Sequence, residues 1–219
     1  MQLSERPTKN QSRSVFVCNG ASNHSDYDRA EYDYYATEPK AVELFLDAFE
    51  KDNSPADNID HNIWECACGE NHITNVLRRR GYNVRTSDIV DRIGENSGIE
   101  IIDFLESGGV FNGDIITNPP YKYAAEFVSK AMDTVTDGHK VIMFLKLTFL
   151  ESVKRAELFK KYPLKYLYVS SKRLQCARNG EFETFKNTGT ALAYGWYVFE
   201  KGYKGEPIIR WFNDGTENS

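Results

Sequence analysis

The sequence predicts an α/β fold in which helices cover a mostly parallel, doubly wound sheet, and three observations carry that reading. Ile63-Trp64-Glu65 is a short apolar strand that runs through the small-residue turn Cys66-Ala67-Cys68-Gly69 into an amphipathic helix. A second short strand, Tyr82 to Asp88, ends in a carboxylate about twenty residues after that turn, the arrangement such sheets use to hold a nucleotide-like ligand. Further on, Ile115-Ile116-Thr117 stops abruptly at Asn118-Pro119-Pro120-Tyr121, and Val141 to Leu145 is an unbroken apolar run suited to a central strand buried on both faces.

In chain order, residues 1–32 form a polar arm with one short apolar run, Val15-Phe16-Val17. The folded domain spans 33–212, and 213–219 is a tail. Apolar residues at helical spacing follow Pro39, with Thr37 as a candidate N-cap. After a polar connection and the first core strand, the helix from His72 turns Ile73, Val76 and Leu77 inward and stops at Gly81. Asp88 can accept both hydroxyls of a ribose, or it can pair with Arg85. Tyr123 to Val135 reads as a helix, Glu151 to Tyr162 as another, and Pro163 ends it. Leu164 to Val169 and Ala191 to Phe199 read as strands, with Pro207 to Phe212 at an edge. Phe149, near the end of the central run, is either core or part of the site.

The loop Asn118-Pro119-Pro120-Tyr121 is where the chemistry is expected. Each proline fixes its own φ and holds the preceding residue extended, so the Asn118 side-chain oxygen and the Pro119 carbonyl converge as acceptors. A planar amine placed there donates both hydrogens, which draws its lone pair out of conjugation and makes it nucleophilic. Tyr121 adds a flat face suited to a base that has left its duplex.

On these residues the chain resembles the S-adenosylmethionine-dependent amino-methyltransferases, and in motif order and length the small DNA adenine methyltransferases of phages and prophages. The resemblance implies a Rossmann-like class I methyltransferase fold with an antiparallel C-terminal strand, and S-adenosyl-L-methionine as cofactor. It gives Asn118, Pro119, Pro120 and Tyr121 the catalytic role, on the N6 amine of an adenine flipped from double-stranded DNA. Tyr35 and Thr37 become candidate contacts to the methionine end of the cofactor. Glu65, Cys66, Ala67, Cys68 and Gly69 match the family's glycine-turn pattern in part: Cys66 stands for its proline and Asn71 for its second glycine. Asn tolerates a left-handed backbone better than other residues with a side chain. Asp103 and Phe104 would read the cofactor's adenine; alternatively, Asp103 caps a helix starting at Phe104.

Composition sets outer limits. At 219 residues, 41% of them hydrophobic, the chain can bury a core as one domain. The polar start lacks the core of a signal peptide and no stretch reaches membrane-span length, so a cytoplasmic protein is expected. Four cysteines without a Cys-x-x-Cys pair predict reduced thiols and no metal. The net charge of −5 hides an uneven division: Glu151 to Arg210 holds twelve Lys and Arg against six Asp and Glu. Within it, the basic, aromatic-bearing insert at 170–190, with Lys172, Arg173 and Arg178, is the candidate DNA-facing segment, together with Lys122 and Tyr123. An RNA adenine methyltransferase, a protein-glutamine methyltransferase and a non-catalytic binding module remain alternatives. Neither target sequence nor oligomeric state follows from the residues.

Overall fold

A computed structural model describes residues 35–94, 97–171, 176–178 and 192–213, the three residues at 176–178 by their backbone. The predicted arm, most of the basic insert with Lys172 and Arg173, and the tail after Asn213 lie outside the described residues. The strands are β1 Tyr35–Thr37, β2 Asn62–Glu65, β3 Asn83–Asp88, β4 Glu100–Ile101 and β5 Asp114–Thr117. After them come β6 Lys140–Lys146, β7 Leu164–Ser170, β8 Cys176–Arg178, β9 Tyr194–Glu200 and β10 Ile208–Phe212. The helices are α1 Pro39–Asp52, α2 His72–Arg79, α3 Ala124–Thr134 and α4 Val153–Lys161.

Eight strands form one sheet in the order β10-β7-β9-β6-β5-β2-β3-β4. Every neighbouring pair is parallel except the two that involve β9, which runs antiparallel between β6 and β7. The predicted parallel sheet with an antiparallel C-terminal strand is therefore observed. From β2 the chain builds outward through β3 to β4, then returns to the other side of β2 for β5 and β6. That reversal between β2 and β5 opens a crevice at their carboxyl ends. A separate antiparallel ribbon joins β1 to β8, with Tyr35 opposite Arg178 and Thr37 opposite Cys176.

The alternation of side chains along each strand builds two cores. In β6, Ile142 and Phe144 face α1 and α2, where Phe45, Phe49, Ile73 and Leu77 are buried. Val141, Met143 and Leu145 face α3, where Phe127, Val128 and Met132 are buried. This two-sided burial is why the run from Val141 is apolar without a break. One expectation needs correction: Thr37 does not cap α1. It ends β1 with its side chain buried, and Glu38 takes the N-cap position with Pro39 in the first turn.

The amino ends of β5 and β6 are tied together by Asp114, which is fully buried. Its carboxylate accepts from the backbone N–H of Lys140 at 2.7 Å and of Asp60 at 2.8 Å, and lies 3.3 Å from His139 Nδ1. Burial pushes this carboxyl above its ordinary range, and the two N–H donors oppose that rise. Asp114→Ala would orphan these donors, and the expected loss is about 3 kcal/mol of unfolding free energy in chemical denaturation. A change within experimental error would show that the clasp does not hold the sheet.

Candidate active site

A cleft of about 590 Å³ opens at the carboxyl ends of β2, β3 and β5, a size within the roughly 300–1,000 Å³ of small-molecule sites. Its walls bring together Tyr35, Cys66, Ala67, Asp88, Asp103, Phe104, Asn118, Pro119, Pro120, Lys122 and Tyr123, eleven of the residues singled out from the sequence.

At the end of β5, Asn118 donates from Nδ2 to the backbone carbonyl of Tyr35 at 2.7 Å. That bond uses one of the two Nδ2 hydrogens and fixes which end of the amide is nitrogen and which is the acceptor Oδ1. Pro120 accepts from the N–H of Tyr123 at 2.9 Å, which winds Tyr121–Tyr123 into a 3-10 turn. Among the described residues no backbone group donates to the Pro119 carbonyl. Tyr121 does not line the cleft wall. Its ring stands between Tyr35, 5.3 Å away, and Tyr194, 5.9 Å away, with Lys146 Nζ 4.5 Å from its centroid.

The opposite end is built around Asp88, nearly buried at the end of β3. Its Oδ2 accepts from Gly69 N–H at 2.8 Å and its Oδ1 from Val90 N–H at 3.3 Å, so the carboxylate is fixed against the glycine turn. Arg85 does not pair with it: Arg85 makes a two-pronged bond to Glu100 at 2.7 and 2.8 Å and lies over the Trp64 ring. Residues three apart on a strand face opposite ways, which separates Arg85 from Asp88. The turn itself holds Gly69 at φ 53° and Asn71 at φ 64°, the left-handed geometry expected of that asparagine.

Glu65 and Cys68 lie behind this wall. Strand alternation turns Cys66 to the cleft side with Trp64 and turns Glu65 toward α2, where the Thr74 hydroxyl donates to a carboxyl oxygen. Burial pushes Glu65 up to about 8. It also pushes both thiols up, so Cys66 and Cys68 stay protonated and are not nucleophiles at neutral pH. Neither is in a disulfide. Thr37 is buried just past Tyr35, and its hydroxyl has no hydrogen-bond partner among the described residues. Asp103 begins a turn rather than a helix, with Oδ1 accepting from Leu105 N–H at 3.0 Å. Phe104 is packed edge-on against Trp64 and beside Phe127, so little of its ring is exposed.

Lys122 and the exposed Tyr123 stand at the mouth, the ammonium 5.0 Å from the ring. Arg178 is placed only by its backbone, in β8. Sequence reasoning missed Ile89, Arg92, Ile102, Leu105, Glu106 and Phe127 in the wall. Ile89 follows the Asp88 carboxylate and is half exposed, an apolar face beside a polar anchor; its only signal was that adjacency.

No protein-family model and no curated protein matches the sequence. Solved structures do match in shape. A Listeria monocytogenes protein provisionally assigned to the class I S-adenosylmethionine-dependent methyltransferases aligns over 94% of this chain and 73% of its own, with TM-score 0.59 and 13% identity. A type I restriction-modification methyltransferase subunit of Streptococcus thermophilus aligns over 84% of this chain and 48% of its own, with TM-score 0.58 and 12% identity. The fold is that of the class I methyltransferases. Among the described residues there is no cluster that could hold a metal ion and no helix long and apolar enough to cross a membrane.

The buried Glu65 carboxyl makes stability depend on pH. Its folded value, about 8, lies above the 4.5 of the exposed group, so the folded state binds the extra proton. Its contribution is present below the unfolded value and lost as pH rises toward 8 and beyond. Denaturation from pH 5 to 9 is expected to show the parent protein losing stability relative to Glu65→Gln as pH rises; parallel curves would contradict a neutral buried carboxyl.

Proposed function

We propose that the chain is an S-adenosyl-L-methionine-dependent methyltransferase acting on the N6 amine of an adenine turned out of double-stranded DNA. The observation that carries the reading is the Asn118 amide, anchored through Nδ2 to the Tyr35 carbonyl at 2.7 Å, which fixes its orientation in a cleft wall that also holds Pro119. The cleft residues fit a nucleoside-bearing cofactor: Asp88, in the wall, is held rigidly as an acceptor for ribose hydroxyls.

The cofactor, when bound, supplies a methyl group on a sulfonium. Asn118 Oδ1 and the Pro119 carbonyl accept hydrogen bonds from the two N–H groups of the amine, which fixes the nitrogen and localises its lone pair for in-line attack. The proton leaves to solvent water after transfer, when the nitrogen is cationic and acidic, so no strong base is needed in the ground state. Pre-organisation by the two prolines means these acceptors need not reorganise during the reaction. Lys122 and Tyr123 at the mouth, and the basic segment carrying Lys172, Arg173 and Arg178, would contact the phosphates and exposed bases. The Streptococcus thermophilus subunit of similar fold comes from a restriction-modification system, which supports DNA as the substrate.

Incubation with labelled cofactor and, separately, DNA, RNA and release-factor protein, followed by digestion, is expected to yield N6-methyladenine from DNA. Label found only in RNA or on glutamine would refute the substrate. Asn118→Ala is expected to lower the transfer rate at least about 100-fold while cofactor affinity is retained. Full activity in that variant would refute the pocket.

A further inference from the structure

We infer that the turn after β6 is a second DNA-contacting surface, which enters the duplex where the target base has left and grips the adjacent phosphates. This rests on the base-methylation reading and adds to it a surface outside the cleft. The turn starts at Lys146, whose Nζ lies 4.5 Å from the Tyr121 ring, so it adjoins the Asn118-Pro119-Pro120-Tyr121 loop on the neighbouring strand. It then exposes two aliphatic side chains three residues apart, Leu150 at 46% and Val153 at 86%. Scattered exposed apolar residues need no explanation, but these two sit on a braced prow. Arg155 donates to the carbonyls of Glu151 at 2.7 Å and Thr148 at 3.1 Å, and its guanidinium covers Phe149 at 5.2 Å. Ser152 between them is held at φ 117°, a strained backbone for a residue with a side chain.

Charge identifies the occupant. From Lys146 to Arg155 the turn carries Lys146, Lys154 and Arg155 against the single carboxylate Glu151, whereas further along α4 Lys160 pairs with Glu157 at 2.6 Å and Lys161 lies 3.9 Å from Asp133. Aliphatic tips flanked by cations beside the Asn118-Pro119-Pro120-Tyr121 loop match a duplex, in which a flipped base leaves an apolar gap between two phosphate strands. A single strand has no such gap and offers the same phosphates without it.

The Leu150→Ala/Val153→Ala double variant keeps its fold, since both side chains are outside the core. It is expected to lower both affinity for a fluorescent duplex and methyl incorporation into native genomic DNA about tenfold, while incorporation into heat-denatured DNA changes less than about twofold. Lys154→Gln is expected to reduce the slope of log affinity against log salt by about 0.9 on the duplex. Equal loss on native and denatured DNA, or unchanged duplex affinity, would overturn the surface. If the parent chain methylates neither form, the base-methylation reading fails, and duplex affinity of the double variant alone then decides: a tenfold drop sustains the surface and no drop removes it.

Discussion

The hydrogen bond between the Asn118 amide and the Tyr35 carbonyl is the constraint on which the site depends. An amide that rotates freely presents nitrogen and oxygen in turn, and only the oxygen can accept from an amine. By using the nitrogen, β1 fixes the polarity of the loop at the end of β5. The same short strand places the Tyr35 ring against Tyr121, and Lys146 covers Tyr121 from the end of β6. Two elements from distant parts of the chain, β1 and β6, therefore converge on one tetrapeptide, which the prolines have already stiffened.

The two ends of the sheet are handled in opposite ways. At the amino end, Asp114 closes the gap between strands with buried backbone bonds. At the carboxyl end the reversal of strand order leaves an opening, and the polar groups there are anchored from behind, as Asp88 is by Gly69. Glu65 belongs to the anchoring layer. Its neutral carboxyl joins the first turn to α2 through Thr74, while Cys66 on the other side of the strand forms part of the wall.

Much of this was legible in the residues because it is local. Alternation and apolar runs located β2, β5 and β6, and the antiparallel placement of β9 followed from the resemblance. The Pro-Pro loop declared its geometry without any tertiary information. What stayed hidden depends on contacts between segments far apart in sequence. Nothing near Asn118 announces that a carbonyl 83 residues earlier will orient it. Thr37 read as a helix cap because Ser or Thr before Pro usually is one, yet pairing of β1 with β8 claims it instead. Glu65 read as a ligand contact from its motif position, and only the direction of its side chain moves it behind the wall.

The central claim, that Asn118 and Pro119 present two oxygens to a planar amine, is tested most directly by a crystal structure with a non-reactive cofactor analogue and a short adenine-containing duplex. The account predicts the exocyclic nitrogen within about 3 Å of both Asn118 Oδ1 and the Pro119 carbonyl, with Nδ2 still on Tyr35. An adenine bound elsewhere, or an Asn118 amide turned so that its nitrogen faces the base, would contradict it.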